Sequence, residues 1–376
     1  MIQKNSIKCG TCGELNIRDS LFCSKCISAL NVKKLSDLTA DDLIASTIGL
    51  INSINQSTDF SDVVTNTDNE ILASYLSAFW LRPETALYQT AEARIVSPLL
   101  SQYENEIILD IGCGNGVNTS LIAGWRFPPD FDVFSNLGLD LDDIYDNPLN
   151  KVNSVEFYKK GRVIDYGVDI KRSMVQRSQS LGSFNQVLQA DVADIPIDDG
   201  IIGAVYSNVL RDFKGEVLHN ALSECNRLLQ SNGVLIFSTP TETYRDKLYY
   251  YSKAKELENK GDLDGAKYHL MLDRGRSEYC SQQISIDDWG KILERHGFEI
   301  LDTYPFAGKQ LTNLWDTGLR PYTPLLARFL ESVSNNSRYE LKSAIINFLI
   351  NFLYKVLKND IKTKDPAFMV VHAKKL

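Results

Sequence analysis

Three glycines at alternate positions follow an acidic residue near the end of the first third of the chain. Asp110 is followed by Gly112, Gly114 and Gly116. The aliphatic stretch over residues 107–111 is typical of a buried parallel strand, and the glycines indicate a tight turn into a helix. Glycine lets a ligand approach the backbone closely, and the free N–H groups of the helix face that ligand. Taken alone, such a turn could bind a dinucleotide, bind a phosphate or serve as a plain connection.

The exact spacing narrows this choice. G-x-G-x-G differs from the G-x-G-x-x-G pattern of dinucleotide-binding turns. An acid directly before the glycines also suits a cationic amino-acid ligand better than a pyrophosphate. Asp-x-Gly-x-Gly-x-Gly after an apolar strand resembles motif I of class I S-adenosylmethionine-dependent methyltransferases. The resemblance covers about residues 70–306 plus the last strand. It implies a Rossmann-like, seven-stranded α/β sheet that binds S-adenosylmethionine at the carboxyl ends of its strands.

Two acids compete for the family's ribose-binding position, Asp140 after residues 136–139 and Asp169 after residues 163–168. In the family, an Asp that contacts the adenine follows the ribose acid by roughly two dozen residues. Asp191 lies 22 residues after Asp169 but 51 after Asp140, so we choose Asp169 and interpret residues 125–160 as an insertion. The resemblance implies cofactor contacts from the following residues: Arg82, Tyr88, Asp110, Gly112, Cys113, Gly114, Gly116, Asp169, Ile170, Asp191, Val192, Ser207 and Asn208. For Arg82 and Tyr88, a surface or packing role is the alternative.

Four cysteines near the N-terminus form a second chemical pattern. They are arranged as Cys9-x2-Cys12-x10-Cys23-x2-Cys26, and two such pairs match the four thiolates of a tetrahedral Zn²⁺ site. Residues 1–30 are too few to form a core, so metal binding would supply their folding energy. The segment looks like a zinc ribbon with a closed, structural site. A redox dithiol pair and an unmetallated tail are the alternatives.

A catalytic base is needed only if the methyl acceptor loses a proton, as a hydroxyl or a carbon acid must. Among the four histidines, we select His269, because it lies in residues 241–283, where a substrate lid is expected. Tyr206 and Asp212 are further candidates. Many small-molecule methyltransferases carry Glu-His shortly after the fourth strand, whereas this chain has Arg211-Asp212 there.

Composition limits the classes of function. A hydrophobic content of 44% and a charged content of 23% are ordinary for a globular protein, and a net charge of −8 does not attract nucleic acid. The seven cysteines, the lack of a signal sequence and the lack of a long apolar run indicate a cytoplasmic protein. We predict a zinc ribbon (1–30), a linker with a short helix (31–69) and a methyltransferase domain (70–376). That domain contains a lid-like insertion (241–283) and a helical insertion (307–366).

The favoured function is methylation of an oxygen, nitrogen or carbon atom of a small molecule, such as a sugar, a lipid or a secondary metabolite. One alternative is an RNA methyltransferase that docks RNA with its zinc ribbon, although the Pro-Pro-aromatic signature of base-amine methylation is missing after the fourth strand. Another is a non-catalytic, cofactor-binding scaffold. The apolar stretch 344–358 could contact a protein partner or a membrane surface, line a substrate pocket, or pack against the main domain.

Overall fold

The computed structural model describes residues 6–8, 15–17, 39–57, 67–134, 157–273, 275–279, 283–320, 322–360 and 363–376. The four cysteines of the predicted zinc site and Asp140 lie outside these residues. Near the N-terminus, β1 (Ser6–Lys8) pairs antiparallel with β2 (Leu15–Ile17). The chain between these two strands contains the first of the two cysteine pairs.

Within the described residues, seven further strands form one mixed sheet in the order β5-β4-β3-β6-β7-β9-β8. β9 pairs antiparallel with both of its neighbours, while the pairs from β5 to β7 are parallel. The predicted seven-stranded α/β sheet is therefore confirmed, and its last strand along the chain is antiparallel to its neighbours. The strands are β3 (Ile108–Ile111), β4 (Ile164–Asp169), β5 (Phe184–Gln189), β6 (Ile202–Ser207), β7 (Leu229–Pro240), β8 (Phe298–Phe306) and β9 (Phe368–Lys375).

Helices cover both faces of the sheet, and several of their ends follow from local sequence. Pro83 stands in the first turn of its helix, where its missing N–H costs nothing. Ser285 caps another helix by accepting the Asp288 N–H. The helices are α1 (Ala40–Ser57), α2 (Thr67–Ala78), α3 (Pro83–Ser101), α4 (Val117–Ile122), α5 (Arg172–Leu181), α6 (Glu216–Leu228), α7 (Tyr249–Asn259), α8 (Leu263–Asp273), α9 (Arg276–Tyr279), α10 (Ile286–Arg295), α11 (Lys309–Thr317), α12 (Thr323–Glu331) and α13 (Asn335–Asp360).

The sheet separates two hydrophobic cores. Successive side chains of a strand point to opposite faces, so Tyr206 of β6 joins the core that α2 and α3 cover. Its neighbour Val205 joins the second core, which contains Leu222 of α6 and Trp289 of α10. The position of Tyr206 therefore turns its hydroxyl toward the N-terminal helices rather than toward α6.

The apolar stretch 344–358 lies inside α13. This helix contacts α1, α2, α3 and α11, and Leu353, Val356 and Leu357 are buried there. Phe352 of the same stretch remains 49% exposed. In the described parts of the chain, no helix combines the length and apolar character that crossing a membrane requires.

A buried lysine of α13 forms hydrogen bonds with the backbone of the segment that follows α4. Lys342 is 3% exposed, and its Nζ donates hydrogen bonds to the carbonyl oxygens of Pro129, at 2.7 Å, and Phe131. Nearby, Arg338 forms an ion pair with Asp132 at 2.7 Å. Burial lowers the pKa of Lys342 to about 8, although Asp132 and Asp130 act in the opposite direction.

We expect Lys342 to make stability rise with pH. Its folded pKa of about 8 lies below the ordinary lysine value, so between these two values the unfolded chain binds more protons. Replacing Lys342 by Met should reduce the gain in unfolding free energy between pH 7 and pH 10 by roughly 2 kcal/mol. Urea unfolding at both pH values measures this gain. The exposed Lys267→Met variant is the control, and an equal gain in Lys342→Met and wild type would contradict the prediction.

Candidate active site

The glycine turn joins the end of β3 to α4, and its three glycines have φ values of +73°, +56° and +77°. A Cβ at Gly112 would lie 2.2 Å from Val209 Cγ2, and one at Gly116 would lie 2.9 Å from Ser178 Oγ. Packing within the protein therefore requires these two glycines. At Gly114 the structure has no atom within 4 Å of the ideal Cβ position. The open space that a ligand needs thus lies beside Gly114.

Asp169 ends β4, the strand beside β3, and its carboxylate bonds the glycine turn directly. Oδ2 accepts the Gly114 N–H at 3.0 Å, and Oδ1 accepts the Lys171 N–H at 2.9 Å. Each carboxylate oxygen can accept a further hydrogen bond, so Asp169 can still bind two donors of a ligand. The next residue, Ile170, is 64% exposed and offers an apolar surface at the same edge.

Asp191 and Val192 follow β5, the next strand outward from β4. Asp191 Oδ1 accepts the Ala193 N–H at 2.9 Å, which shapes the loop as an Asx turn. Asp191 is exposed and Val192 is half-buried. The ends of three adjacent strands therefore carry Gly112, Asp169 and Asp191 in a row, in the order that an extended ligand could follow across the sheet.

Asp110 and Cys113 are the buried residues of the motif whose side chains could titrate. Asp110 is 2% exposed, and its Oδ2 accepts a short hydrogen bond from Thr119 Oγ1 in α4. Burial raises the pKa of Asp110 to about 7, against the effect of Thr119. Burial also raises the pKa of the Cys113 thiol, whose Sγ lies 3.7 Å from Ser178 Oγ. A thiol in this state is a packing group and a poor nucleophile.

Ser207 ties two strand ends together. Its Oγ donates to the Ile111 carbonyl at 2.9 Å and accepts the Val209 N–H at 3.2 Å. Ser207 is completely buried, and Asn208 is half-buried. The Ser207 hydroxyl thus holds Val209 against Gly112, and Asn208 is the more accessible of the two predicted cofactor contacts.

Tyr206 belongs to a buried chain of hydrogen bonds on the other side of the turn. Its hydroxyl donates to Glu92 Oε1 at 3.2 Å and accepts from Asn118 Nδ2 at 3.3 Å. Asn118 Oδ1 in turn accepts from the Tyr75 hydroxyl at 2.8 Å. Burial and the neighbouring carboxyl of Glu92 raise the pKa of Tyr206 well above its ordinary value, so its hydroxyl keeps its proton.

Tyr88 lies near the ends of β7 and β9 rather than beside Asp169. Its ring stacks on Trp315, with 5.0 Å between the ring centroids, and meets Phe368 edge-on. The Tyr88 hydroxyl accepts a hydrogen bond from Arg211, which also donates to Ser238 Oγ at 2.8 Å. This arrangement makes Tyr88 a neighbour of the β6–β7 side of the site.

Asp212, His269 and Arg82 complete the set of predicted site residues. Asp212 follows Arg211, and the two side chains approach to 3.9 Å. The His269 ring lies 3.0 Å from the Gly265 carbonyl of its own helix. Arg82, which precedes α3, approaches Glu84 at 3.7 Å. Of the three predicted catalytic residues, Tyr206 and Asp212 thus come near the strand ends, whereas His269 bonds within the α7–α8 hairpin. All three roles stay predictions.

Sequence reasoning considered Glu92 only as a possible lid or cofactor contact and gave Arg211 no role, although both lie in this group. Glu92 is 1% exposed, and burial raises the pKa of its carboxyl, while Arg211 and the hydroxyls of Ser238 and Tyr206 lower it. Its Oε2 makes no hydrogen bond of normal geometry with the described residues. A glutamate in a helix otherwise rich in buried residues was the available signal, because charged side chains are rarely buried without a reason.

Part of this chain is similar to a known protein family. A family model described as a methyltransferase domain matches residues 153–237, a stretch that contains β4, β5, β6 and most of β7. A search of curated proteins finds no match.

Solved structures resemble the fold only distantly. A protein from Galdieria sulphuraria, provisionally described as a sarcosine dimethylglycine methyltransferase, is 13% identical, with a TM-score of 0.41 and coverage of 78% of this chain and 88% of that one. An S-adenosylmethionine-dependent methyltransferase from Mesorhizobium loti is also 13% identical, with a TM-score of 0.35 and coverage of 72% and 90%. Scores this low do not establish function. Residues 153–237, less than a quarter of the chain, are thus similar to a methyltransferase domain, and the described strands form a seven-stranded mixed α/β sheet.

Proposed function

We propose that this chain transfers a methyl group from S-adenosylmethionine to a small molecule. The observation that carries the proposal is the Asp169 carboxylate, which is bonded to the Gly114 N–H at the end of β4. A carboxylate fixed beside an open glycine turn suits a ligand with two adjacent hydroxyls, because it can accept a charge-assisted hydrogen bond from each. The ribose of S-adenosylmethionine has this pair of hydroxyls.

The residues along the strand ends fit the rest of the cofactor. The space beside Gly114 suits the methionine portion, and Asp191, exposed after β5, suits the exocyclic amine of adenine. When bound, S-adenosylmethionine supplies an electrophilic methyl group on a positively charged sulfur. The protein then contributes mainly by holding the acceptor in line with that methyl group.

A small acceptor is favoured by the burial of the polar groups on the β6–β7 side. Tyr88, Glu92 and Tyr206 are all at most 5% exposed, so a large polymer would have difficulty reaching them. The net charge of −8 also opposes RNA binding, which depends on neutralising phosphates with cations. The acceptor class remains that of a sugar, a lipid or a secondary metabolite.

We expect Asp169→Ala to weaken S-adenosylmethionine binding about 100-fold, because two charge-assisted hydrogen bonds worth about 1.5 kcal/mol each are lost. Isothermal titration calorimetry measures the Kd, and the Tm of the free variant checks its folding. The comparison is Asp140→Ala, which removes the alternative candidate for the ribose-binding acid, and this variant should bind S-adenosylmethionine with the wild-type Kd. Loss of binding in Asp140→Ala alone would move the ribose site, and a wild type that does not bind would overturn the proposal.

Gly114→Ala should also weaken cofactor binding, at least tenfold. The new Cβ would enter the open space beside the turn, and a φ of +56° would cost about 1–2 kcal/mol in folding stability. Gly182→Ala is a matched control, because Gly182 has a φ of +72° and equally open surroundings, but ends α5. Both variants should lose similar stability, and only Gly114→Ala should lose affinity. Equal Kd values in the two variants would show that the ligand does not approach Gly114.

The zinc ribbon is part of the same proposal. Its support is the cysteine spacing and the antiparallel pairing of β1 with β2, between which Cys9 and Cys12 occur in sequence. Protein purified under reducing conditions without chelator should contain zinc by elemental analysis, and the double variant Cys9→Ser, Cys12→Ser should lose it. Because the predicted site is closed and structural, the Kd for S-adenosylmethionine should not change. Wild-type protein free of zinc would refute the ribbon.

A further inference from the structure

Helix α3 brings an acidic side chain to the buried side of the strand ends. Glu92 is 1% exposed, and its Oε1 accepts the Tyr206 hydroxyl at 3.2 Å. Its Oε2 is buried and makes no hydrogen bond of normal geometry within the described residues. Burying a carboxyl oxygen without a partner is costly. The Ser238 hydroxyl lies close enough to lower the pKa of this carboxyl, and Oε2 keeps the capacity to accept a hydrogen bond of normal geometry from a donor outside the protein.

The position of Glu92 relates it to methyl transfer rather than to the ribose. Tyr206, which holds Glu92, pairs with Asp110 in the register of β3 and β6. Tyr206 is also bonded to Asn118, in the first turn of the helix that follows the glycine turn. Asp169 lies on the opposite side of β3, at the end of β4. Glu92 therefore lies across the glycine turn from the ribose position, toward the ends of β6 and β7.

The charges around Glu92 leave it able to exchange a proton. Arg211 donates to Tyr88 and Ser238, and its charge lowers the pKa of the Glu92 carboxyl against the effect of burial, which favours the ionised form that can accept a proton. The Asp110 carboxyl is already bonded to Thr119. Burial raises the pKa of the Tyr206 hydroxyl well above its ordinary value, so this hydroxyl keeps its proton. Glu92 is therefore the suitable proton acceptor.

We propose that Glu92 is the catalytic residue that receives the proton of the methyl acceptor, and that the acceptor therefore presents an O–H or N–H group. This inference rests on the proposed methyltransferase function. The S–CH₃ bond breaks with its electron pair kept by sulfur, and a new O–CH₃ or N–CH₃ bond forms. The acceptor's proton passes to Glu92 Oε2 and later to solvent, so charge and atoms balance.

The test uses sinefungin, an analogue that carries an amino-bearing carbon where S-adenosylmethionine has its methylated sulfur. Its ammonium group occupies the methyl position and can donate to a carboxylate placed at the acceptor side. Wild type should bind sinefungin about tenfold more tightly than S-adenosylhomocysteine, because one additional charge-assisted hydrogen bond contributes about this factor to the affinity. In Glu92→Gln this preference should disappear, while the Kd for S-adenosylhomocysteine should stay the same.

Glu84→Gln is the matched control, because Glu84 is on the same helix, is 4% exposed and also has a buried Oε2 that makes no hydrogen bond with the part of the chain that the structure describes. It lies about 12 Å from Glu92 along the helix axis, so Glu84→Gln should keep the preference. A preference retained in Glu92→Gln, or absent in wild type that binds S-adenosylhomocysteine, overturns the role of Glu92. Wild type that binds neither compound overturns the proposed function itself.

A second measurement uses wild type alone, so the inference can be tested even if Glu92→Gln does not fold. The titratable and charged groups around Glu92 are Tyr75 of α2, Asp110 of β3, Tyr206 of β6 and Arg211. Only an ionised Glu92 attracts the ammonium, so the preference for sinefungin should grow as the pH rises from 5 to 8. A preference that is constant over this range would contradict the inference.

Discussion

The hydrogen bond from the Gly114 amide to the Asp169 carboxylate is the contact on which the site depends. It fixes the open part of the glycine turn to the end of the neighbouring strand. The turn can adopt this shape because Gly112 and Gly116 leave room for Val209 and Ser178. Ser207 then holds Val209 in place from β6. The backbone donors and the carboxylate are therefore preorganised before any ligand arrives, which lowers the cost of binding.

The two sides of the turn differ in character. On the β4–β5 side, Asp169 and Asp191 belong to strand ends and loops that are partly open to solvent. On the β6–β7 side, the buried Glu92 of α3 and the buried Tyr206 form a polar group with the half-buried Arg211, and aromatic rings border it. An accessible side suits a large, flexible cofactor, while a buried side strengthens electrostatic effects on the reacting atoms. In the proposed mechanism, the helix before β3 contributes to chemistry as well as to packing.

Much of this fold could be predicted from local sequence, because its central strands are apolar and its turns are marked by glycine. The strand over residues 298–306 and the antiparallel last strand are examples. β5 was harder to recognise, since its sequence FNQVLQ is polar on an exposed edge. Within residues 241–283, the predicted lid-like insertion, the chain turns at Gly261, where φ is +79°, between helices α7 and α8.

In the site, too, some residues could be predicted from short stretches of sequence, whereas others are brought together only by tertiary packing. Asp110, the glycines and Asp169 form patterns within short stretches, and the structure brings them together at adjacent strand ends. The pairing of Glu92 with Tyr206, and of Tyr88 with Arg211 and Trp315, joins residues far apart in sequence. No pattern within a short stretch of the sequence predicts such contacts. They exist because α3 crosses the sheet at one particular place, which packing determines.

The strand order has a consequence for the growing chain during translation. β9 lies between β7 and β8 although it follows both in sequence. Until residues 368–375 leave the ribosome, β7 and β8 each present an unpaired edge that can pair with another nascent chain. The α11–α13 segment, synthesised just before β9, contacts α1, α2 and α3 and can assemble earlier. Without residues 368–375 the sheet therefore lacks an internal strand, and its exposed edges can pair incorrectly.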